Sequence, residues 1–480
     1  MVTADGGKFE FTGVPAGKYR LSGARRGFIT ASYDEHFQFN TAIVTGASVN
    51  TEELVLKLQP EAIISGQILD EASEPVRHAS VNLYEETHDE GFPQMRSVRG
   101  AQTNDLGEYE AANLMPGSYY LSVSAQPWYA VHPPSQLGSK TKNRAPTEVS
   151  PALDVAYPVT YSGDTSDSDT ATPIVIRGGE RVRLDVHLNP VPALRLVFPA
   201  PPGQNSFIAP QIERSSFDGV SHVQISGMRR VDNLWEVTGV PAGRYNIRFQ
   251  SGSGTAVQMN GVELTQNGQT IDPASAQPLS HVKISVQAPG EPEMPKKLSV
   301  GLSARLRSLS RWASTDAKGE AEFQDISAGR YEVTVGGGGK RYSVSRILAD
   351  GAEVSGHTLT IAPGSSPSVT LTVVSGSVEL EGAVKHAGKP FAGAMVVLVP
   401  KNPGDNRDLF RRDQSDLDGT FTLANVVPGS YTLLAIDDGW DLNWSEPEVI
   451  AAYVKHGRKI EVGGQSLQPV KVADIQIQPR

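Results

Sequence analysis

Short runs in which apolar and polar residues alternate recur along the whole chain, separated by turns rich in glycine and proline. Phe9 and Phe11 alternate with Lys8 and Glu10, and Phe421 and Leu423 repeat the pattern near the other end. Period-two alternation predicts strands with one buried face. An Asp-Gly-Gly or Asp-x-x-Gly turn precedes such a run, with glycine supplying the positive φ of a hairpin. Val-Pro-Ala-Gly or Val-Pro-Gly then turns the chain, and Tyr-x-Leu opens the partner strand.

This unit occurs five times: TADGGKFEFTGVPAGKYRL from Thr3, TNDLGEYEAANLMPGSYYL from Thr103, DNLWEVTGVPAGRYNI from Asp232, TDAKGEAEFQDISAGRYEV from Thr315 and SDLDGTFTLANVVPGSYTL from Ser415. Its glycine falls at Gly17, Gly117, Gly243, Gly329 and Gly429, and a tyrosine follows two residues later each time. Those tyrosines (Tyr19, Tyr119, Tyr245, Tyr331, Tyr431) are 100, 126, 86 and 100 residues apart. A β-sandwich domain takes about 100 residues, so each repeat marks one domain. A tyrosine at a strand corner is expected to bury its ring and bond its hydroxyl to nearby backbone. In the third repeat Asn233 takes the place of the turn glycine, a residue that tolerates positive φ.

Flanking segments match as well. IISGQILDEASEPVRHASVNLY in the second module and VELEGAVKHAGKPFAGAMVVLV in the fifth each read as strand, turn, strand. The expected architecture is all-β, a tandem array of five small antiparallel β-sandwiches with the first incomplete: 1–59, 60–190, 191–277, 278–375 and 376–480. One helix is expected, in EPEVIAAYVKHG, capped by Ser445, with Pro447 in its first turn and Val449 and Tyr453 on one face.

The strand with a small glycine core, the G-x-P-x-x-x-A turn and the T-D-x-x-G-x-F-x-F-x-x-V-x-P-G-x-Y-x-L unit resemble carboxypeptidase regulatory-like domains. They are similar to the wider prealbumin-like, Cna-B-like and starch-binding-like sandwich group. The likeness is strongest in modules two and five, and in three and four it is confined mainly to the central hairpin and closing strands. It implies a bacterial, exported and surface-associated setting. It does not imply peptidase activity, because in carboxypeptidases this domain is the non-catalytic appendage.

Composition narrows the chemistry. With 43 Lys+Arg against 53 Asp+Glu the formal charge is −10, which argues against a nucleic-acid binder. The chain has no cysteine, so disulfides, thiolate catalysis and Cys-based zinc sites are excluded. No run approaches the ~20 apolar residues of a membrane helix. The ten histidines form no H-E-x-x-H, there is no G-x-S-x-G elbow, and GGGGKR at Gly336 is too short for a P-loop. No catalytic residue, metal ligand or cofactor is therefore expected. A Cna-B-like isopeptide has Lys385 and Lys283 as candidates by residue type alone. The loop holding Asp164, Asp167 and Asp169 offers oxygen ligands for calcium but lacks the ordered spacing of a calcium loop.

Aromatic residues are the best functional lead. Phe28, Trp128 and Trp440 each lie nine residues after a repeat tyrosine. Trp128, Tyr129, Trp440 and Trp444 present rings on which a sugar could stack, and Asp441 and Asn443 could bond its hydroxyls. The competing reading is that these rings staple their loops to the sandwich, and it is the favoured one. The function expected is a non-enzymatic extracellular, periplasmic or cell-surface scaffold, with a polysaccharide or another surface protein as partner. The alternative is carbohydrate binding, as the accessory part of a larger exported protein.

One expectation concerns module one. In module two, Ile63 to Gln102 supplies the first strands before the hairpin, whereas in module one the hairpin follows two residues after Met1. Phe9 and Phe11 should then lack packing partners and leave a sheet edge open. The expectation is a natural protein that continues upstream through the missing strands and a leader.

Overall fold

The structure is a computed structural model. It describes the whole chain except residues 47–50, 134–149, 200–208, 218, 224, 251–255, 290, 296, 338–341, 376–377 and 464–467. The SGSG run and the tip of the GGGGKR hairpin lie outside the described residues. The chain divides into two units, one of Met1–Gln59, His88–Phe92 and Ser375–Arg480, the other of Pro60–Thr87 and Pro93–Val374. The fold is all-β.

All five repeat tyrosines make the same corner. Each donates its hydroxyl to the carbonyl four residues earlier: Tyr19 to Pro15 at 3.2 Å, Tyr119 to Met115 at 2.9 Å, Tyr245 to Pro241 at 2.7 Å, Tyr331 to Ser327 at 2.8 Å and Tyr431 to Val427 at 2.8 Å. The ring crosses the glycine two residues back, where an added Cβ would meet it at 3.4–3.8 Å. Tyr245 and Tyr331 are 2% exposed, whereas Tyr19 is 40% exposed. Desolvation pushes the Tyr119, Tyr245 and Tyr431 phenols up to about 12, so they stay protonated donors.

A second repeated device stands six residues before each tyrosine. Gly13, Asn113, Gly239, Asp325 and Asn425 all adopt positive φ, between 60° and 82°. In modules two to five the pairing register with the first strand shifts at this point, for instance between Leu423 and Val426 opposite Leu380 and Val378. This is a β-bulge whose left-handed residue is drawn from Gly, Asn and Asp, the types that tolerate the conformation. At the preceding hairpin, Gly7, Gly107, Gly319 and Gly419 have positive φ as expected. In module three that conformation falls on Asp232 and not on Asn233, because the turn there is a two-residue connection between Gly227–Val231 and Leu234–Pro241.

In the unit that runs from residue 60 to 374, each module pairs two facing sheets. Module two sets Glu108–Leu114, Ala62–Leu69 and Arg181–Arg183 against Gln94–Gln102, Ser80–Thr87 and Gly117–Ser124. Module four sets Glu320–Ile326, Ser280–Gln287, Ser368–Ser375 and Tyr342–Asp350 against Arg311–Ser314, Leu298–Ser303, Gly329–Gly337, Thr358–Ile361 and Glu353–Ser355. The sandwiches are not wholly antiparallel: the closing strand runs parallel to the first in modules two, three, four and five. It returns from the facing sheet and so travels in the first strand's direction. Modules two and three share a sheet, since Val155–Ala156 pairs with Val191–Pro199. Phe217 of module three also lies 5.0–5.2 Å from the rings of Tyr84, Tyr120 and Tyr161.

In the other unit, module five packs its core between Val378–His386 with Thr420–Val426 and Met395–Pro400 with Gly429–Ile436. Met395–Pro400 is buried at every position because its outer face carries a second apolar layer, in which Met395, Val397, Val399, Leu434 and Ile436 meet Trp440 and Trp444. The helix is Pro447–Val454, with Ile450 buried in that layer. Its N-cap residue is Glu446, and the Ser445 hydroxyl is buried without a hydrogen bond, so Ser445 does not cap it.

Module one makes only two- and three-residue strands, such as Gly17–Tyr19 with Ile43–Thr45. Residues 8–11 are not a strand and Phe11 is 56% exposed. Among the described residues no strand pairs with them, and an alternating run without a partner strand has no ladder to hold it extended. Module one packs instead on module five. Lys18 Nζ meets Asp416 Oδ2 at 2.5 Å, the Ala42 N–H donates to Asp416 Oδ1 at 3.0 Å, and Gln414 Nε2 donates to Asp34 O at 2.6 Å.

Candidate functional site

The six residues singled out for sugar stacking fall into two groups. Trp440 and Trp444 are 2% and 7% exposed, which removes the open ring face that stacking requires. His36 lies parallel to Trp440 with ring centroids 4.8 Å apart, and Phe39 covers it at 5.6 Å. Phe410 packs edge-on to Trp444 at 5.4 Å, and the Arg412 guanidinium lies over its ring at 4.1 Å. These tryptophans staple their loop to the outer face of module five, the bland reading of the two. Asn443 Oδ1 meets His88 Nδ1 at 2.6 Å, and Asp441 is an exposed carboxylate 3.6 Å from Arg480. Neither neighbours an open ring face of Trp440 or Trp444.

Trp128 behaves oppositely. It is 83% exposed and stands edge-to-face with Tyr129, centroids 5.9 Å apart. The Tyr129 hydroxyl donates to Glu71 Oε1, and the buried Tyr157 donates to Glu71 Oε2 at 3.0 Å. Partial desolvation raises the Glu71 pKa, but bonds from Tyr129, the Glu71 N–H and Tyr157 outweigh it and hold the carboxyl below its ordinary value. Desolvation, then the Glu71 carboxylate, push Tyr129 up to about 12. The result is a carboxylate fixed on the tyrosine that neighbours an open indole. Glu71 and Tyr157 carry no sequence motif and were not anticipated.

The remaining candidates take structural places. Lys385 Nζ meets Asp474 Oδ2 at 2.5 Å between the first strand of module five and its closing segment, with the side chains 34% and 46% exposed. At that exposure the amine stays solvated and ion-paired, unlike the desolvated nucleophile that amide formation needs. Lys283 lies 3.7 Å from Glu322 at the surface. Asp167 Oδ1 accepts the Asp169 N–H at the head of a 3₁₀ turn. Among the described residues no three His, Asp or Glu side chains are grouped to hold a metal ion, and no helix is long and apolar enough to cross a membrane.

One aromatic that the pattern did not single out is open. Trp312, on the edge strand Arg311–Ser314 of module four, is 59% exposed.

No curated protein matches the chain. Among solved structures it is similar to the Bacillus anthracis TIE protein (14% identity, 70% of this chain, 57% of that one, TM-score 0.16). It is also similar to a streptococcal ancillary pilin (15% identity, 60% and 100%, TM-score 0.18) and to the major pilin subunit of Bacillus cereus (12% identity, 87% and 99%, TM-score 0.15). The match spans little more than half of the TIE protein. Residues 63–143 match the carboxypeptidase regulatory-like domain. The matched segment lies within module two, and the other modules repeat its tyrosine corner.

Proposed function

We propose that the chain is a non-catalytic scaffold of the cell surface or extracellular space, divided near residues 59, 190, 277 and 375, whose modules space and present binding surfaces. The observation that carries this is the use of the repeat: all five tyrosines make the corner, and the left-handed residues of modules two to five make the bulge. The shared sheet and the Phe217 contact join modules two and three and favour a stiff spacer over a flexible string. Antibody labelling of intact cells producing the full protein, with a pull-down from their envelope, tests it. Surface labelling and a recovered envelope partner are expected. A turnover that depends on one side chain of this chain overturns it.

A second reading, carbohydrate binding by module two, is favoured by the open Trp128 ring and the Glu71 carboxylate fixed on the neighbouring Tyr129. Sugars present C–H faces to indoles and hydroxyls to carboxylates. Glycan-array binding by the intact chain, lost in Trp128→Ala, supports it. An array signal that survives this change removes it.

A further inference from the structure

Module four carries an open aromatic platform whose counterpart in module five is sealed. The two modules align with an offset of 100 residues at Tyr331 and Tyr431, which places Trp312 at the position of Arg412. The pairing agrees: Gly301 stands opposite Trp312 and Thr334, as Val397 stands opposite Arg412 and Leu434.

The outer faces differ in chemistry. Module five presents Met395, Val397, Val399, Leu434 and Ile436, which its own tryptophans and helix cover. At the matching sites module four has Ser299, Gly301, Ser303, Thr334 and Gly336. Leu298, Val300, Leu302, Tyr331 and Val333 fill the inner side, so these small and polar residues face outward. An apolar hairpin or helix would gain little on such a surface.

The far edge of the Trp312 indole reaches over Gly301 on this surface. A Cβ at Gly301 would come within 2.8 Å of the far edge of the indole and 2.7 Å of Thr334 Oγ1, so the missing side chain is what lets the ring rest on the strand. At 59% exposure much of the ring remains open to solvent. Thr334 Oγ1, at the same point, is buried without a hydrogen-bond partner. The Ser303 and Glu332 pair lies along the strands on one side and the Ser299 and Ser314 pair on the other, each about 7 Å away. An open aromatic ring bordered by hydroxyls suits a ligand with an apolar ring face and a hydroxylated rim.

We propose that this face of module four, centred on Trp312, binds a saccharide chain, with one pyranose ring stacked on the indole and its hydroxyls bonded to Ser303 and Ser314. The site is separate from Trp128 and does not depend on it.

Affinity electrophoresis of the intact chain through laminarin, xylan, glycogen and soluble chitin oligosaccharide tests the proposal. At least one should retard the wild type, with tenfold or greater weakening in Trp312→Ala, partial recovery in Trp312→Phe and no change in Trp128→Ala. Gly301→Ala should weaken binding by tilting the indole. Circular dichroism and the melting temperature should stay unchanged in Trp312→Ala, which separates lost binding from lost folding. Absence of retardation on all four polymers overturns the proposal, as does retardation that survives Trp312→Ala. Retardation lost only in Trp128→Ala overturns it while upholding the reading for module two.

Discussion

The Tyr431 hydroxyl donates to the Val427 carbonyl at 2.8 Å, and its ring crosses Gly429 between them. A buried carbonyl left without this donor loses about 1 kcal/mol, so Tyr431→Phe should cost roughly that amount. Tyr431→Ala also removes a ring that is 4% exposed and should cost about 3–5 kcal/mol. The matching change Tyr19→Phe should cost far less, because Tyr19 is 40% exposed and water is a substitute partner for the Pro15 carbonyl. Denaturant unfolding of the three variants checks the order.

The bulge makes a sharper test, since it depends on backbone conformation. Asn425 holds φ at 61° between Leu423 and Val426, where the register shifts. A β-branched residue there meets the steric cost of left-handed backbone, about 1–2 kcal/mol. Asn425→Val should therefore lower stability by that much, while Asn425→Gly should fall within about 1 kcal/mol of the natural chain. Thermal melts that rank valine at or above glycine would contradict the assignment.

How far the fold could be read ahead depends on range. The tyrosine corner is local, four residues from donor to acceptor, and Gly-x-Tyr announced it in every repeat. The left-handed position is equally local, and Gly13, Asn113, Gly239, Asp325 and Asn425 are all residue types that tolerate it. Trp440 is harder to place, because covering it takes His36 and Phe39, about 400 residues away in sequence. A clue lay in the unbroken apolar run Met395–Val399, which marks a strand buried on both faces, against the alternating LSVGLS of module four. Trp312 left no such trace. Whether an indole on an edge strand is open depends on what else packs there.

Asp413 should give module five a pH signature. Burial pushes its carboxyl up to about 6, with Asp416 adding to the rise, against the Thr422 and Gln414 N–H groups and Lys18. A carboxyl that binds its proton more tightly when folded stabilises the fold at low pH. That contribution is complete below about pH 4 and is lost as pH rises through about 6. The two-unit shift corresponds to at most about 3 kcal/mol. Asp413→Asn, which keeps an acceptor for the Thr422 N–H, should match the natural chain near pH 4 and exceed it in melting temperature near pH 7. Equal melting temperatures at both pH values would show that Asp413 ionises without cost.

The stapling role of the tryptophans leads to opposite expectations for two residues that occupy the same place in the repeat, nine positions after the tyrosine. Trp440 is 2% exposed among Met395, Ile436, His36 and Phe39. Trp440→Ala deletes a large buried ring and should cost about 3–5 kcal/mol. It should also loosen residues 31–42, whose His36 and Phe39 rest on that ring, so amide exchange there should quicken together with exchange in Met395–Pro400. Trp128 is 83% exposed and covers no core, so Trp128→Ala should change stability by less than about 0.5 kcal/mol. Hydrogen exchange and melting of the two variants side by side provide the measurement. Comparable losses in both would mean that Trp128 also holds its module together, and its open face would cease to be a binding feature.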